Sequence, residues 1–259
     1  MKISAVIVTY NNEKKIGNCL ESLQGIVDEI IVVDSLSTDC TRKIASHFTN
    51  KIIKCFSSDY AYLKNYGQKI AAFDWILSIE PDERLSTGLR LELLKLKNKP
   101  IEIEGFYIPR RSFYIYRWVK HSGWYPDWRV RLYQRDKGCW KKEGYRIFFD
   151  FSGKTGRLKT PVEHLAFSSI SEHLIYLNRV AERRAQEIYA RKKKPRFYHF
   201  WLWPCFRFFY KYIIKFGFLD GFPGLVISAM SAYAVFLRFA KLREIWKKGE
   251  RIESVPGCQ

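Results

Sequence analysis

Ile3-Ser-Ala-Val-Ile-Val-Thr9 is a near-continuous run of apolar and β-branched residues, without the apolar–polar alternation of a half-wet strand. A strand covered on both faces has no reason to alternate, so the run predicts a central strand of a parallel sheet. The segments that follow keep a matching rhythm. Ile16, Cys19, Leu20 and Leu23 form one helical stripe within residues 13–23. Glu29-Ile-Ile-Val-Val-Asp34 reads as a second strand ending on a carboxylate, and Ser37-Thr38-Asp39 offers caps for a helix over 41–48. Residues 51–56 read as a third strand and 60–73 as a helix. Trp75-Ile-Leu-Ser-Ile79 is a fourth strand that runs into Glu80-Pro81-Asp82-Glu83. A βαβαβαβ order predicts an α/β fold with a mostly parallel, doubly wound, Rossmann-like sheet.

After Pro100 the pattern changes to antiparallel-looking strands at 105–108, 128–134 and 146–151, joined by aromatic-rich loops. From Ser168 the chain turns helical and basic. An amphipathic stretch over 178–194 ends in Arg191-Lys-Lys-Lys194, residues 197–218 are dense in Phe, Tyr and Trp, and Gly221 to Leu237 carries no charge.

Composition narrows the partners. The chain is 47% hydrophobic and 27% charged, which supports a packed core and excludes a largely disordered chain. A formal net charge of +19 calls for nucleic acid, anionic lipid or phosphorylated ligands. Aromatic residues beside the late cations favour the membrane interface over nucleic acid. Cys19, Cys40, Cys55, Cys139, Cys205 and Cys258 form no C-x-x-C pair, so they read as reduced thiols rather than a zinc site or disulfide framework. The apolar run at the N-terminus meets Asn11-Asn-Glu-Lys-Lys15 too soon for a signal peptide.

Open parallel sheets bind ligands beyond the carboxyl ends of their strands. Three ends here carry polar groups: Thr9 to Asn11, Asp34, and Glu80 to Glu83. A nucleoside diphosphate bound at that edge needs a divalent cation, Mg²⁺ or Mn²⁺, held by one or two carboxylates with phosphate and water. Arg129 and Arg131 alternate with apolar residues on one strand face and are candidates for leaving-group or acceptor phosphates.

Val6-Ile-Val-Thr-Tyr-Asn-Asn-Glu13, Ile31-Val-Val-Asp-Ser-Leu-Ser-Thr-Asp39 and the Glu80–Glu83 tip resemble family 2 glycosyltransferases of the GT-A fold. Ile108-Pro-Arg-Arg111, Gly123-Trp-Tyr-Pro-Asp127, Arg129-Val-Arg-Leu-Tyr133, Gly156-Arg-Leu158, His164 and Phe218-Leu-Asp-Gly221 are similar to the lipopolysaccharide-core glucosyltransferase group within that family. The resemblance implies an inverting transfer of a hexose, glucose by analogy, from a UDP-sugar donor to a lipid-linked saccharide. It implies that Thr9, Asn11 and Glu13 border the base and ribose, that Asp34 accepts a hydrogen bond from them, and that Lys64 touches the nucleotide. Asp82 matches the last aspartate of the DxD motif and His164 a histidine near the diphosphate, so both are candidate metal ligands. Glu80 stands at the motif's first acid and can approach metal or ribose. Asp127 is the candidate general base, since an inverting transfer needs a carboxylate to take the acceptor's proton.

Three positions depart from the family pattern: Glu80 in place of Asp, Leu36 in place of Gly, and Arg146-Ile147 in place of a His-Glu pair, with Glu143 as a possible substitute. The expected organisation is a GT-A catalytic domain over 1–167, with a nucleotide-sugar half at 1–100 and an acceptor half at 101–167. A membrane-associating helical extension over 168–259 follows. Lys211, Lys215, Arg238, Lys241 and Arg243 flank the uncharged run, which favours helices lying in the headgroup layer of an anionic membrane. The expected location is peripheral, on the cytoplasmic face of the inner membrane, with a homodimer left open. Three other readings stand beside this one, the first a sugar-nucleotide pyrophosphorylase, which would carry a Gly-rich G-x-G-T-R loop where Thr9-Tyr-Asn-Asn12 stands. A nucleic-acid-binding protein explains the charge but not the acidic strand ends, so no nucleic acid partner is expected. A catalytically inactive membrane-bound scaffold would explain the departures.

Overall fold

The computed structural model describes residues 1–144 and 146–253. Cys258 lies outside the described residues, and the other five cysteines are free. The chain divides into two compact units, one of residues 1–112 and 126–166, the other of 113–125 and 167 onward.

In the first unit, β1 (Ile3–Thr9) is buried at every position, as its unbroken apolar run requires. One side of it, Ile3, Ala5 and Ile7, shares a core with Ile16, Leu20 and Leu23 of α1 (Ile16–Leu23). Its other side, Val6 and Val8, packs with Ile31 and Val33 of β2 (Glu29–Asp34). Then come α2 (Thr41–Ala45), β3 (Ile52–Lys54), α3 (Tyr60–Lys69) and β4 (Trp75–Ile79). Asp59 starts α3 by accepting hydrogen bonds from the amides of Ala61 and Tyr62. Leu63 of α3 joins the Val6–Val33 cluster, and Gly67 makes that approach possible. A Cβ on Gly67 would stand 2.5 Å from Cγ1 of Val6 and 3.1 Å from Cγ2 of Val33.

β5 (Glu83–Leu85), α4 (Thr87–Lys97), β6 (Gly105–Tyr114), β7 (Arg117–Trp118) and β8 (Asp127–Gln134) follow. Next are β9 (Gly138–Glu143), β10 (Arg146–Phe151), β11 (Thr155–Arg157) and β12 (Val162–Phe167). The main sheet runs β3-β2-β1-β4-β8-β6-β12-β5, while β9 and β10 form a separate hairpin. The expectation of a mostly parallel sheet holds for β3, β2, β1 and β4. Beyond them the sheet is mixed, because β8 runs antiparallel to both β4 and β6. Glu143 and Arg146 face each other at the end of the β9–β10 hairpin.

The second unit holds α5 (Ile170–Ala190), α6 (Tyr198–Phe209) and α7 (Phe222–Glu253). Both α5 and α6 pack along α7. Residues 113–125 contribute Tyr114 and Val119 to a small core with Val226 and Ile227 of α7. The Tyr114 hydroxyl lies 2.9 Å from Nδ1 of His173 on α5. By length and composition, Phe222–Lys248 could cross a membrane, with a mean hydropathy of 1.5.

Candidate active site

Parallel pairing sets Thr9 beside Asp34 and Ile7 beside Ile79, so β1, β2 and β4 end along one edge. A cleft of about 840 Å³ opens there, lined among others by Thr9, Tyr10, Asn12, Leu36, Phe56 and Asp82. Its rim is partly aromatic, with Tyr10 and Phe56 largely in solvent.

The first loop residues are builders of the wall. Asp34 is fully buried and accepts hydrogen bonds from the Ser37 amide at 2.9 Å and the Ser37 hydroxyl at 2.5 Å. Oδ1 of Asn11 accepts from the Thr38 amide at 2.9 Å, and Oε2 of Glu13 accepts from the Cys40 amide at 3.0 Å. These contacts lace the loop after β1 to the loop after β2. None of Asn11, Glu13 or Asp34 is among the lining residues, whereas Thr9 is. Leu36 keeps the left-handed backbone suited to the glycine it replaces, at φ 61.

The acidic tip after β4 is held from below by cations. Glu80 accepts a short hydrogen bond from the Tyr60 hydroxyl and another from Nζ of Lys64 at 2.7 Å. Burial alone would raise the Glu80 carboxyl, but Lys64 and Arg131 outweigh it and bring it down to about 2. Lys64 is itself buried against Ser78 and the Trp140 ring, so it supports Glu80 from beneath the cleft floor. Glu83 accepts from the Glu80 amide at 3.0 Å and pairs with Arg131.

Asp82 lines the cleft, as Glu80 does. β5 pairs with β12 so that Glu83 lies opposite His164, and the Leu165 amide donates to the Asp82 carbonyl at 2.9 Å. This pairing brings Nε2 of His164 to 3.4 Å from Oδ2 of Asp82. Burial alone would raise the Asp82 carboxyl, but the hydrogen bond and charge of His164 outweigh it and hold it below the ordinary value. The other ring nitrogen, Nδ1, sits 2.9 Å from the Ser112 hydroxyl. Metal-binding histidines are usually anchored in this way through the nitrogen that does not bind.

Asp127 opens β8. Its Oδ2 takes Nη2 of Arg110 at 2.8 Å and Nε of Arg129 at 3.0 Å. Arg110 also approaches Glu83 at 3.6 Å. A chain of alternating charge therefore runs Lys64, Glu80, Arg131, Glu83, Arg110, Asp127, Arg129. Arg131, expected as a phosphate contact, is engaged within the protein. At 2% exposure its guanidinium is enclosed by Glu83, Glu80 and the Ser78 carbonyl. Arg129 remains about half exposed. Sequence reasoning passed over Tyr10, Phe56, Ser112 and Arg110. Of these, Arg110 was visible in Pro109-Arg-Arg111, but its partners were not.

Among the described residues no group of three or more His, Cys, Asp or Glu side chains could enclose a metal. The donors present fit a narrower role. A carboxylate lining a cleft, with an anchored imidazole beside it, suits a divalent cation whose remaining ligands are phosphate and water.

The model for glycosyl transferase family 2 matches residues 4–165. The chain is a family 2 glycosyltransferase. An uncharacterized glycosyltransferase of Rickettsia felis is 29% identical, over 97% of this chain and 93% of that protein. A lipopolysaccharide core biosynthesis glycosyltransferase of Rhizobium meliloti, LpsC, is 26% identical, over 93% of this glycosyltransferase and 92% of that protein. A solved structure of S. aureus TarS 1-349 covers 96% of this glycosyltransferase and 92% of that chain, with 16% identity and a TM-score of 0.48. The α/β sheet with its mixed second half is the GT-A fold of the family.

Proposed function

We propose that this glycosyltransferase moves a hexose, glucose by analogy, with inversion from a UDP-sugar to a saccharide of the lipopolysaccharide core on its lipid anchor. The observation that carries the reading is Asp82, which lines the cleft beside the carboxyl ends of β1, β2 and β4 and is met from behind by His164. The breadth of similarity to LpsC supports the acceptor class. Tyr10 and Phe56 offer aromatic faces for a nucleobase, and Thr9 a hydroxyl beside it. Asp82 and His164 would hold Mg²⁺ or Mn²⁺ together with diphosphate oxygens, and the cation, when bound, neutralises the leaving group. Asn11, Glu13 and Asp34 act by shaping the wall, and Glu80, Lys64 and Arg131 by fixing the tip.

Asp127 acts as the general base. Its carboxylate takes the acceptor hydroxyl's proton while that oxygen bonds to the anomeric carbon and the bond to the diphosphate oxygen breaks, releasing UDP. Arg129, exposed beside it, receives an acceptor phosphate. The basic helical unit keeps the protein on the cytoplasmic face of the membrane, where the lipid-linked acceptor lies. The test is transfer from UDP-glucose to core-lipid acceptors by wild type and Asp127→Asn. General-base removal should lower kcat by about 100-fold or more and leave UDP affinity unchanged. Unchanged kcat in the variant would remove Asp127 from this role.

A further inference from the structure

The chain turns from α6 into α7 through residues 210–221, and this turn has an unusual outer surface. Ile213, Ile214, Phe216, Phe218, Leu219 and Phe222 are all exposed, from 45% for Phe218 to 61% for Ile214. Scattered exposed apolar residues need no explanation, but six within ten positions, following the exposed Phe206 and Phe209 of α6, are a cluster.

Two charged groups of the turn, Asp220 and Lys211, are withdrawn from that surface. Its acid, Asp220, is 1% exposed and accepts hydrogen bonds from the amides of Lys120 at 3.1 Å and His121 at 2.8 Å. Lys211 is turned inward to the Ser122 carbonyl at 2.6 Å, where burial, with Arg207 and Lys215 nearby, lowers its amine to about 8. The backbone closes on itself. The amides of Lys215, Phe216, Leu219, Gly221 and Leu225 donate to the carbonyls of Tyr210, Ile213, Phe216, Phe218 and Gly221. Turns with free amides cannot enter hydrocarbon at tolerable cost, and these five bonds lower that cost. Lys215 and Arg207 remain exposed beside the patch, where anionic headgroups would meet them.

We propose that this turn, rather than α7 as a whole, is the part of the molecule that enters a lipid bilayer. The inference rests on the membrane-surface reading above and names the face that makes contact. α7 is a poor span. Its uncharged part, residues 222–237, is about 24 Å long at ~1.5 Å per residue, against a hydrocarbon core of ~30 Å. Arg238, Lys241, Arg243 and Glu244 follow at once.

The test uses the full chain and vesicles of phosphatidylglycerol and phosphatidylethanolamine. Hydrogen exchange on wild type should slow at residues 210–225 when vesicles are added. Phe218→Ser with Leu219→Ser should weaken co-sedimentation by at least about 30-fold. Leu174→Ser with Ile175→Ser, which removes exposed apolar area from α5, should leave it within about twofold. Circular dichroism checks that both pairs fold. Alkaline carbonate should strip wild type from the vesicles. Wild type that fails to sediment would overturn the membrane-surface reading itself. Sedimentation with protection elsewhere, or with the tip pair unaffected, would overturn only the tip. Resistance to carbonate would favour α7 as a span, and protection that grows with protein concentration without lipid would assign the patch to a second copy.

Discussion

Leu36 and His173 show how single residues bear cost and condition. A left-handed backbone costs a residue with a β-carbon about 1–2 kcal/mol. Glycine's extra freedom in the unfolded chain offsets about 0.4–1 kcal/mol of the relief. Leu36→Gly should therefore stabilise the protein by up to about 1 kcal/mol, read as a shift in the urea midpoint. Loss of stability would mean that the Leu36 side chain, which lines the cleft, holds the loop. Burial lowers His173 from 6.5 to about 4. The unfolded chain then binds the proton more readily, so stability is full above pH 6.5 and declines as pH falls toward 4. His173→Asn should flatten that decline in a series of melts, and an unchanged slope would place the titrating group elsewhere. At this scale the sequence was only partly legible. Asp82 and His164 stood out as residue types, but their 3.4 Å approach depends on the pairing of β5 with β12. The surroundings of Arg131 were not legible, because strand alternation gives its face and says nothing of the tip folded over that face.

The elements were more legible where periodicity was strong. β1 and β4 run as expected because both are buried along their whole length and leave no ambiguity of period. The helices of the first unit came out shorter than the apolar stripes suggested, whereas α5 begins well before the expected stretch at 178. The expected 13–23 helix begins at Ile16, because the Asn12 carbonyl accepts from Lys15 and Ile16 and spends the first residues in a turn. The expected 60–73 helix ends at Lys69. Within it, Gly67 holds α3 close enough to the sheet for Lys64 and Tyr60 to reach Glu80. Alanine in place of a helical glycine gains about 1 kcal/mol in propensity. Overpacking costs about 1–3 kcal/mol, and the Cβ would meet Val6 at 2.5 Å. Gly67→Ala should thus destabilise the protein by up to about 2 kcal/mol in denaturant titration. A stabilised variant would show that Val6 yields freely and that the close approach has no part in setting the tip.

In the whole molecule, the order of strands first and basic helices after is read from the hydrophobic pattern and the placement of charge. The membership of 113–125 in the helical unit was not, since nothing local shows that Tyr114 will meet His173. The charge of +19 pointed to an anionic partner without saying which surface meets it. What ties the molecule to its chemistry is the claim that Asp82 carries the metal–diphosphate contact at the cleft. Titration calorimetry of the full chain with UDP, with and without Mn²⁺, for wild type and Asp82→Ala, tests it most directly. Binding that requires Mn²⁺ in wild type and is lost in Asp82→Ala is the expected result. Equal UDP affinity in the two proteins, or binding indifferent to the metal, would contradict it.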